Sequence, residues 1–434
     1  MTEKRRIGVW LIGCKGGVAT TTIVGLIALN KGLTSPTGLV SQLLEFAGLD
    51  LAAWDEIVIG GHEIRGLPLC REAYRVHSEM RAASRETIDQ CQDEFARIEA
   101  RVRPGTIWNS GPTIAALADL EVPREETPQA IIDRLKNDLR QFVATEKVNR
   151  LVVVNVASTE PPSACSTGFR RIPAEAGATS AVLPATWPEL ERLLASANCP
   201  LPASSLYAIA ALDLGGVYIN FTPSLGAAPA AIDDLARRRG GCHTGCDGKT
   251  GETLLKSVLA PMFAARNLRV MSWVSHNIFG NMDGRVLDDP ANKRSKLESK
   301  DRLLGEILGY KPQTHISIEF IESLGDWKTA WDHIHFTGFL GTPMTFQFIW
   351  QGCDSVLAAP LVIDLIRFSE LAHRRGQTGL LKFLASFFKS PLGVDEHSFA
   401  MQFQMLQQWL EEAHGAQAGT PSPPTKQHNE TRDT

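Results

Sequence analysis

The sequence lacks three features that would have assigned it to a class directly. No run of about 18 residues is both apolar and free of charge, so we expect no membrane-spanning helix. Positive charge is not in excess, because 44 Lys and Arg stand against 48 Asp and Glu, a net charge of −4; this argues against an extended nucleic-acid surface. The eight cysteines are scattered, which predicts buried, reduced thiols rather than a disulfide framework.

What remains is a long chain of ordinary globular composition. Its 434 residues are 44% hydrophobic and 21% charged, which allows two or three domains with sizeable cores. The first apolar run stops at Gly13 and no small-residue cleavage site follows it, so we expect no signal peptide and a cytoplasmic protein. Residues 415–434 have no apolar periodicity and are rich in Pro and Gly, which predicts a disordered tail.

The first half of the chain alternates predicted strands with predicted helices, which is typical of an α/β fold with a parallel sheet. The predicted strands are 7–12, 56–60, 150–156 and 216–221, and the predicted helices include 20–29, 123–145 and 228–239. From about residue 242 the pattern becomes that of a separate α+β unit. Its helices are predicted at 251–265 and 296–308, its strands at 269–275, 314–321 and 345–350, and two further helices at 356–375 and 379–388.

A glycine-rich segment between the first strand and the first helix is the first candidate site. Gly13, Gly16 and Gly17 would let the backbone approach a pyrophosphate, and the helix start at Val18, Thr20 and Thr21 offers N–H groups. Lys15 replaces the second glycine of G-x-G-x-x-G, so a tight turn without a ligand is the alternative. Glu63, after the second strand, is the candidate carboxylate for the ribose of NAD; a solvated surface glutamate is its alternative.

A second glycine-flanked segment, 245–253, resembles the end of a Walker loop, but His243 stands where the first glycine is required. The helix start at Thr250–Thr253 suits a single phosphate, with simple helix capping by Thr250 as the alternative. Cys242, His243 and Cys246 lack a second pair of ligands, so we do not expect a structural zinc site.

Four lysines form the third candidate feature. Lys296 and Lys300 share a face in the first turn of a predicted helix, where they oppose the helix dipole and repel each other. This placement favours an anionic ligand, with a solvated charged face as the alternative. Lys328 follows Gly325-Asp326-Trp327, and Lys389 follows the apolar segment 383–388. A partly buried lysine can act as an acid or base; a lysine whose amine reaches solvent is the alternative.

Together, and in chain order, these segments resemble the myo-inositol-1-phosphate synthase family in its compact archaeal and bacterial form. The resemblance covers about residues 5–410. Its matching pieces are 13–22, 60–65, 155–160, 220–224, 247–253, 275–284, 295–300, 326–328, 354–360 and 388–391.

The resemblance implies a Rossmann-type NAD-binding domain built from both chain ends, residues 1–241 and 346–414. An α+β catalytic and tetramerisation domain, residues 242–345, would interrupt it, and the protein would be a homotetramer. The implied reaction converts D-glucose 6-phosphate to 1L-myo-inositol 1-phosphate. NAD oxidises C5, a proton leaves C6, C6 attacks the C1 aldehyde, and the same NADH reduces C5 again.

The resemblance also implies a role for each matching residue. The catalytic set comprises Lys296, Lys300, Lys328, Lys389, Asp326 and Asp354. Lys389 would handle the proton of the C5 hydroxyl, and Lys296 or Lys328 the C1 oxygen. The sugar phosphate would be held by Thr250, Gly251, Glu252, Thr253 and Lys300. The cofactor would contact Ala157, Ser158, Thr159, Asp247, Asn277 and Asp283 in addition to the glycine loop and Glu63.

Some positions depart from the family pattern, and some alternatives stay open. Cys246 stands where an acidic or amide residue is common, and His276 stands where Tyr is usual. A monovalent or divalent cation is neither required nor excluded by the residues. A related cyclase acting on fructose 6-phosphate, a net NAD-dependent dehydrogenase and a non-enzymatic NAD-binding protein are the alternative functions.

Overall fold

The computed structural model describes residues 5–161, 165–166, 181–196, 199–280 and 304–418. The strands are β1 Ile7–Ile12, β2 Ile57–Glu63, β3 Val102–Pro104, β4 Arg150–Asn155, β5 Cys165–Ser166, β6 Ala181–Val182, β7 Val217–Asn220, β8 Cys242–Gly245, β9 Arg269–Phe279, β10 Gln313–Phe320, β11 Trp327–Thr337, β12 Pro343–Cys353 and β13 Gly379–Leu380. The α-helices are α1 Gly17–Asn30, α2 Leu69–Arg75, α3 Arg85–Asp89, α4 Gln92–Glu99, α5 Pro112–Ala115, α6 Pro128–Glu146, α7 Trp187–Leu194, α8 Ala203–Asp213, α9 Ala230–Arg239, α10 Gly251–Ala265, α11 Asp354–Arg374 and α12 Phe399–Ala418.

The larger sheet has seven strands in the order β13-β8-β7-β4-β1-β2-β3. Every neighbouring pair is parallel, which confirms the predicted α/β class. Because β13 pairs with β8, the C-terminal part of the chain joins the sheet that the N-terminal part begins. Parallel strands end at the same edge of the sheet, so the loops after β1, β2, β4, β7 and β8 converge there.

Helices cover both faces of this sheet, and the side chains of β1 show how. Ile7, Val9 and Leu11 contribute to the buried cluster that includes residues of α1 and α11. Trp10 and Ile12, the alternate residues, belong to the opposite cluster with residues of α6, α8 and α9. A strand covered on both faces needs an unbroken apolar run, which is why this strand and β4 are recognisable in the sequence.

The smaller sheet has the order β10-β9-β11-β12. β10 runs parallel to β9, whereas β11 is antiparallel to both β9 and β12. α10 and a helical segment at residues 304–308 pack against this sheet around Phe263, Trp273, Leu304 and Ile334. β12 is an edge strand among the described residues, and most of its side chains are exposed.

Several sequence expectations need correction. The helix predicted at 379–388 is wrong, because β13 and a 3-10 helix, Lys382–Phe387, occupy these residues. β11 was not predicted, since its Lys, Asp and His residues hide the apolar alternation of a strand. α12 continues to Ala418, beyond the predicted start of the tail at residue 415; residues 419–434 lie outside the described residues.

The chain passes from one sheet to the other at residues that differ from the predicted domain boundaries. β8, which begins at Cys242, belongs to the large sheet, and β12 continues in the small sheet as far as Cys353. The division into domains stays a prediction. β8 lies within the predicted catalytic domain but pairs in the large sheet, and the end of β12 lies within the predicted NAD-binding domain but pairs in the small sheet. Among the helices that the structure describes, none combines the length and hydrophobicity that a membrane crossing needs.

Candidate active site

The turn after β1 lies against the ends of two neighbouring strands. The N–H groups of Gly13 and Cys14 donate to the carbonyl oxygen of His62 on β2, at 3.0 and 3.2 Å. Gly13 has φ +77°, and a Cβ placed there would lie 2.7 Å from the Cα of Ala157 after β4. Only glycine satisfies both conditions, so the glycine has a backbone reason that is independent of any ligand.

The start of α1 opens towards the same cleft. Gly16, which precedes the helix, has no side chain to cap it, and no acidic residue occupies the first turn. The N–H groups at this helix end therefore present partial positive charge to the cleft, as a pyrophosphate requires. Gly16, Gly17 and Val18 line the cleft, whereas Thr20 and Thr21 are buried within the helix and do not.

Glu63 lies at the end of β2 and also lines the cleft, but its carboxylate has structural partners. It accepts hydrogen bonds from the backbone N–H groups of Lys15, Ile64 and Arg65 at 2.7, 2.8 and 3.2 Å. The solvated alternative is wrong, because Glu63 is buried. A carboxylate has about four acceptor positions, so one further donor, such as a ribose hydroxyl, can still be accommodated.

Lys15, the departure from the glycine pattern, does not enter the cleft. Its Nζ lies 2.6 Å from Glu99 on α4, and its carbonyl oxygen accepts a hydrogen bond from Arg65 at 2.6 Å. The side chain therefore points away from the phosphate position, and the departure leaves the backbone of the loop available.

The loops after β4 and β7 form the next wall of the cleft. Ala157, Ser158 and Thr159 line it. Asn155 donates to Asn220 and Thr222 at 3.3 and 3.2 Å, which joins the two strand ends. This network holds the Ala157–Thr159 loop at the position where a Rossmann-type sheet receives its ligand.

Lys389 reaches the cleft as part of an ion pair. Its Nζ lies 3.1 Å from Asp247, and its backbone N–H donates to the carbonyl oxygen of Asp247 at 2.6 Å. Gly248 forms a bridge with Phe388, and a Cβ on this glycine would lie 2.1 Å from the ring of Phe221. The two chain segments are thus fixed side by side, and the amine faces the cleft among polar neighbours.

Lys328 contributes a second amine at the end of the small sheet. Its Nζ lies 3.6 Å from Asp354 and 5.2 Å from the ring centroid of Phe279. Asp326, which is buried, accepts the N–H of Ser355 at 3.1 Å and the thiol of Cys353 at 2.9 Å. Burial raises the pKa of Cys353 to about 12, so the thiol keeps the proton that it donates.

The start of α10, where the sugar phosphate is predicted to bind, has no side-chain cap. Thr250 lines the cleft and makes no capping hydrogen bond, so the capping alternative is wrong. Glu252 turns its carboxylate inward, where Oε1 lies 2.5 Å from Nζ of Lys256. Backbone N–H groups, rather than the Glu252 side chain, are therefore the anion-binding groups that this turn offers.

The structure brings most of the sequence-predicted residues to one cleft. Those that line it are Gly13, Gly16, Gly17, Val18, Glu63, Ala157, Ser158, Thr159, Asp247, Thr250, Asp326, Lys328, Asp354 and Lys389. Gly251, Glu252, Thr253, Asn277, Thr20 and Thr21 lie outside this lining. Asn277 is buried, and neither polar atom of its amide has a hydrogen-bond partner among the described residues. Lys296, Lys300 and Asp283 lie outside the described residues.

Some residues of the cleft were not predicted from the sequence. Arg65, Arg75 and Glu160 line it. Glu160 accepts hydrogen bonds from the N–H of Ser204 at 2.8 Å and from its hydroxyl, and burial raises the pKa of Glu160 to about 7. Arg65 and Glu160 fall within matched segments, so the signal was present, whereas Arg75 has no local motif.

The described residues offer no ready metal centre. His243, one of the weak zinc candidates, forms a 3.0 Å contact with Asp233 through Nε2. No group of three or more His, Cys, Asp or Glu in the described ranges is arranged to hold a metal ion. The need for a cation therefore stays open.

Comparison with known proteins adds an independent line of support. The family model for myo-inositol-1-phosphate synthase matches residues 7–411. The chain is 30% identical over 431 residues to inositol-3-phosphate synthase 1 of Bacteroides thetaiotaomicron, covering 93% of this chain and 95% of that protein. It is 28% identical to inositol-3-phosphate synthase of Spirodela polyrhiza, covering 86% and 76%.

A solved structure supports the fold. The crystal structure of inositol-3-phosphate synthase from Caenorhabditis elegans matches with a TM-score of 0.80 at 21% identity, covering 98% of this chain and 90% of that one. The family match spans the glycine loop, both described lysines and their carboxylate partners. The chain belongs to the myo-inositol-1-phosphate synthase family.

Proposed function

We propose that the chain is an NAD-dependent inositol-3-phosphate synthase, which cyclises D-glucose 6-phosphate to 1L-myo-inositol 1-phosphate. One observation carries the proposal. A single cleft is lined by a glycine loop at a helix start and by two amines, Lys328 and Lys389, each held by a carboxylate. A dinucleotide and a sugar can therefore meet in one place.

The residues present fit NAD. The glycine loop lies so close to Ala157 that a Cβ on Gly13 would fill the space between them, and Glu63 lies at the strand end where a ribose is expected. NAD, when bound, supplies a hydride acceptor and donor for C5 of the sugar. We assign Gly13, Gly16, Gly17, Val18, Glu63 and Ala157–Thr159 to its binding, with Thr20 and Thr21 supporting the helix start.

Lys389 is the proposed base for the C5 hydroxyl, because it is the amine bound to Asp247 beside the loops of the large sheet. As the neutral amine, Lys389 would accept the hydroxyl proton, with Asp247 stabilising the ammonium that forms, and it would later return that proton. Lys328, held near Asp354, is assigned to the C1 oxygen. There a fixed positive charge stabilises the alkoxide that develops when C6 attacks C1.

The remaining assignments follow the family pattern. Thr250–Thr253 would hold the sugar phosphate through backbone N–H groups, with Lys300 adding a charge. Lys296 is the alternative to Lys328 at the C1 oxygen. Asp247, Asn277, Asp283, Asp326 and Asp354 orient the lysines or the nicotinamide end of the cofactor. A monovalent or divalent cation would add to this charge stabilisation.

We also propose that the protein is a homotetramer in the cytoplasm. β12 and the turn before it expose Phe339, Leu340, Met344, Phe346 and Ile349, and a long apolar edge strand is a surface that proteins normally cover. The cysteines whose side chains are described form no disulfide with one another, which suits a reducing compartment.

The test is a product assay on purified protein. Incubation with NAD and D-glucose 6-phosphate should yield a non-reducing inositol phosphate, identified by NMR. The absorbance at 340 nm should not rise, because no NADH accumulates. Turnover of fructose 6-phosphate without turnover of glucose 6-phosphate would show that fructose 6-phosphate is the substrate instead. Stoichiometric accumulation of NADH would show that the protein is a dehydrogenase rather than a cyclase.

A further inference from the structure

Lys249 lies between two residues of the cleft but points away from it. Gly248 and Thr250 line the cleft, whereas Lys249 does not. Its side chain is buried, with 4% of its surface exposed. Nζ donates a hydrogen bond to Oε1 of Gln402 on α12 and lies 5.9 Å from the ring centroid of Phe399. The side chain therefore joins the site segment to the C-terminal helix.

Gln402 is fixed in the orientation that this contact needs. It is fully buried, and its Nε2 donates to the carbonyl oxygen of Glu396. This bond orients the amide, and Oε1, its one acceptor atom, faces the lysine. Gln402 also anchors its own helix, since its backbone N–H donates to Ser398 at 3.0 Å.

A lysine amine buried against a neutral amide is costly, and stability alone does not explain it. Burial lowers the pKa of Lys249 to about 7, and Glu396 opposes this shift only from a distance. An apolar side chain of similar length would avoid the desolvation cost. Costly buried groups that persist beside a cleft are commonly functional.

The position of Lys249 shows what it can control. Its backbone N–H donates to Phe387 at 2.8 Å, two residues before Lys389. Asp247, two residues earlier in the chain, holds the Lys389 amine, and Thr250 begins the proposed phosphate-binding turn. A displacement of residues 247–250 would therefore move the partner of Lys389 and the phosphate turn together.

We propose that Lys249 is a positioning residue of this site. Through Gln402 it holds residues 247–250 against α12, and it thereby fixes the position of Lys389 relative to the phosphate-binding turn. The inference rests on the proposed function only where kcat is measured, because that measurement needs turnover of glucose 6-phosphate. Its structural readout is independent, because hydrogen exchange of residues 245–253 reports on the tether whether or not the protein turns over sugar phosphate.

The experiment compares Lys249→Met, Gln402→Leu and the double variant with Gln404→Leu, a control at an exposed position of the same helix. We expect each single variant to lower kcat at least about tenfold, the scale on which misplacement lowers rates. The double variant should fall no further than the worse single variant, since both changes break one contact. NAD affinity should fall less than kcat does, because the glycine loop and Glu63, to which most of the NAD binding is assigned, lie outside residues 247–250. Exchange over 245–253 should accelerate in all three variants but not in the control.

Three outcomes would overturn the inference. They are unchanged exchange over 245–253 in Lys249→Met, single-variant losses that multiply in the double variant, and a kcat loss matched by loss of NAD affinity and thermal stability. If the wild-type protein fails to cyclise glucose 6-phosphate, the proposed function fails. The exchange data then decide separately whether Lys249 holds the segment.

Discussion

Lys389 and Asp247 meet across 142 residues of sequence, and their ion pair is the contact on which the proposed chemistry most depends. Lys389→Ala should lower turnover by about 10²–10⁴-fold, the range for loss of an acid–base group, while NAD still binds. Steady-state kinetics and a fluorescence titration of NAD measure the two effects. Lys382→Ala is the matched control, since this lysine is exposed and precedes the site by one short helix. Turnover of Lys389→Ala at the wild-type rate would remove Lys389 from the mechanism.

His62 provides a pH-dependent prediction, because it is buried between Trp10 and Asp138. Trp10 donates to Nδ1 at 2.7 Å, and Nε2 contacts Asp138 at 3.1 Å. Burial lowers the pKa of His62, so at mildly acidic pH the unfolded chain binds a proton that the folded chain resists. The free energy of unfolding should therefore fall as pH drops below about 6.5.

The variant His62→Gln removes this titration. Its loss of stability between about pH 7.5 and about pH 5.5 should be smaller than that of the wild type, as measured by urea unfolding at both pH values. His414→Gln, at a half-buried position of α12, should behave like the wild type. An equal pH-dependent loss in His62→Gln and wild type would show that His62 does not carry the effect.

At the residue level, the sequence indicated chemistry but not partners. Lys389 stood out because an amine follows an apolar segment, and Glu63 because it ends a predicted strand. The carboxylates that hold Lys328 and Lys389 come from distant segments, and no local pattern identifies such pairs. Lys249 was visible only as part of an imperfect Walker-like match, since its partner Gln402 lies 153 residues away.

The start of α1 illustrates the constraints on a single element. A Cβ on Gly17 would lie 2.7 Å from Oγ of Ser355 at the start of α11, whereas a Cβ on Gly25 would meet only ordinary contact, 3.8 Å from Ile363. Gly17→Ala should therefore lower the free energy of unfolding by about 1–3 kcal/mol and weaken NAD binding. Gly25→Ala should raise it by about 0.5–1 kcal/mol without affecting NAD.

Chemical denaturation and NAD titration of both variants measure the difference. Equal NAD affinity in Gly17→Ala and Gly25→Ala would contradict the close approach of the two helix starts to the cofactor position.

Elements with regular apolar periods were predictable, and those with buried polar residues were not. β1, β4 and α10 match their predicted positions closely because apolar runs or periodic spacing mark them. β11 escaped because Asp332, which is buried, faces the interior of the small sheet and accepts hydrogen bonds from Trp273 and Ser275 at 2.7 and 2.5 Å. A buried polar residue with tertiary hydrogen bonds looks, in the sequence, like an exposed one.

The assembly is the scale at which the apolar edge of the small sheet matters. Ile349 on β12 is 70% exposed, and its burial between chains would favour association. We expect light scattering to give about four times the 47.4 kDa chain mass for the wild type and a smaller particle for Ile349→Glu. Leu44→Glu, at a leucine that is 93% exposed and lies outside the small sheet, should leave the mass unchanged. A tetramer that survives Ile349→Glu would place the interface elsewhere.

For the whole molecule, we propose that C5 of the sugar is oxidised and then reduced again in one cleft, with the ring closure between the two steps. D-glucose 6-phosphate deuterated at C5, incubated with protein and NAD and analysed by mass spectrometry and NMR, tests this. We expect inositol phosphate that keeps the deuterium on its ring carbon, with no net formation of NADH. An oxidised sugar with deuterium transferred to accumulating NADH, or an inositol phosphate that has exchanged its label with water, would contradict it.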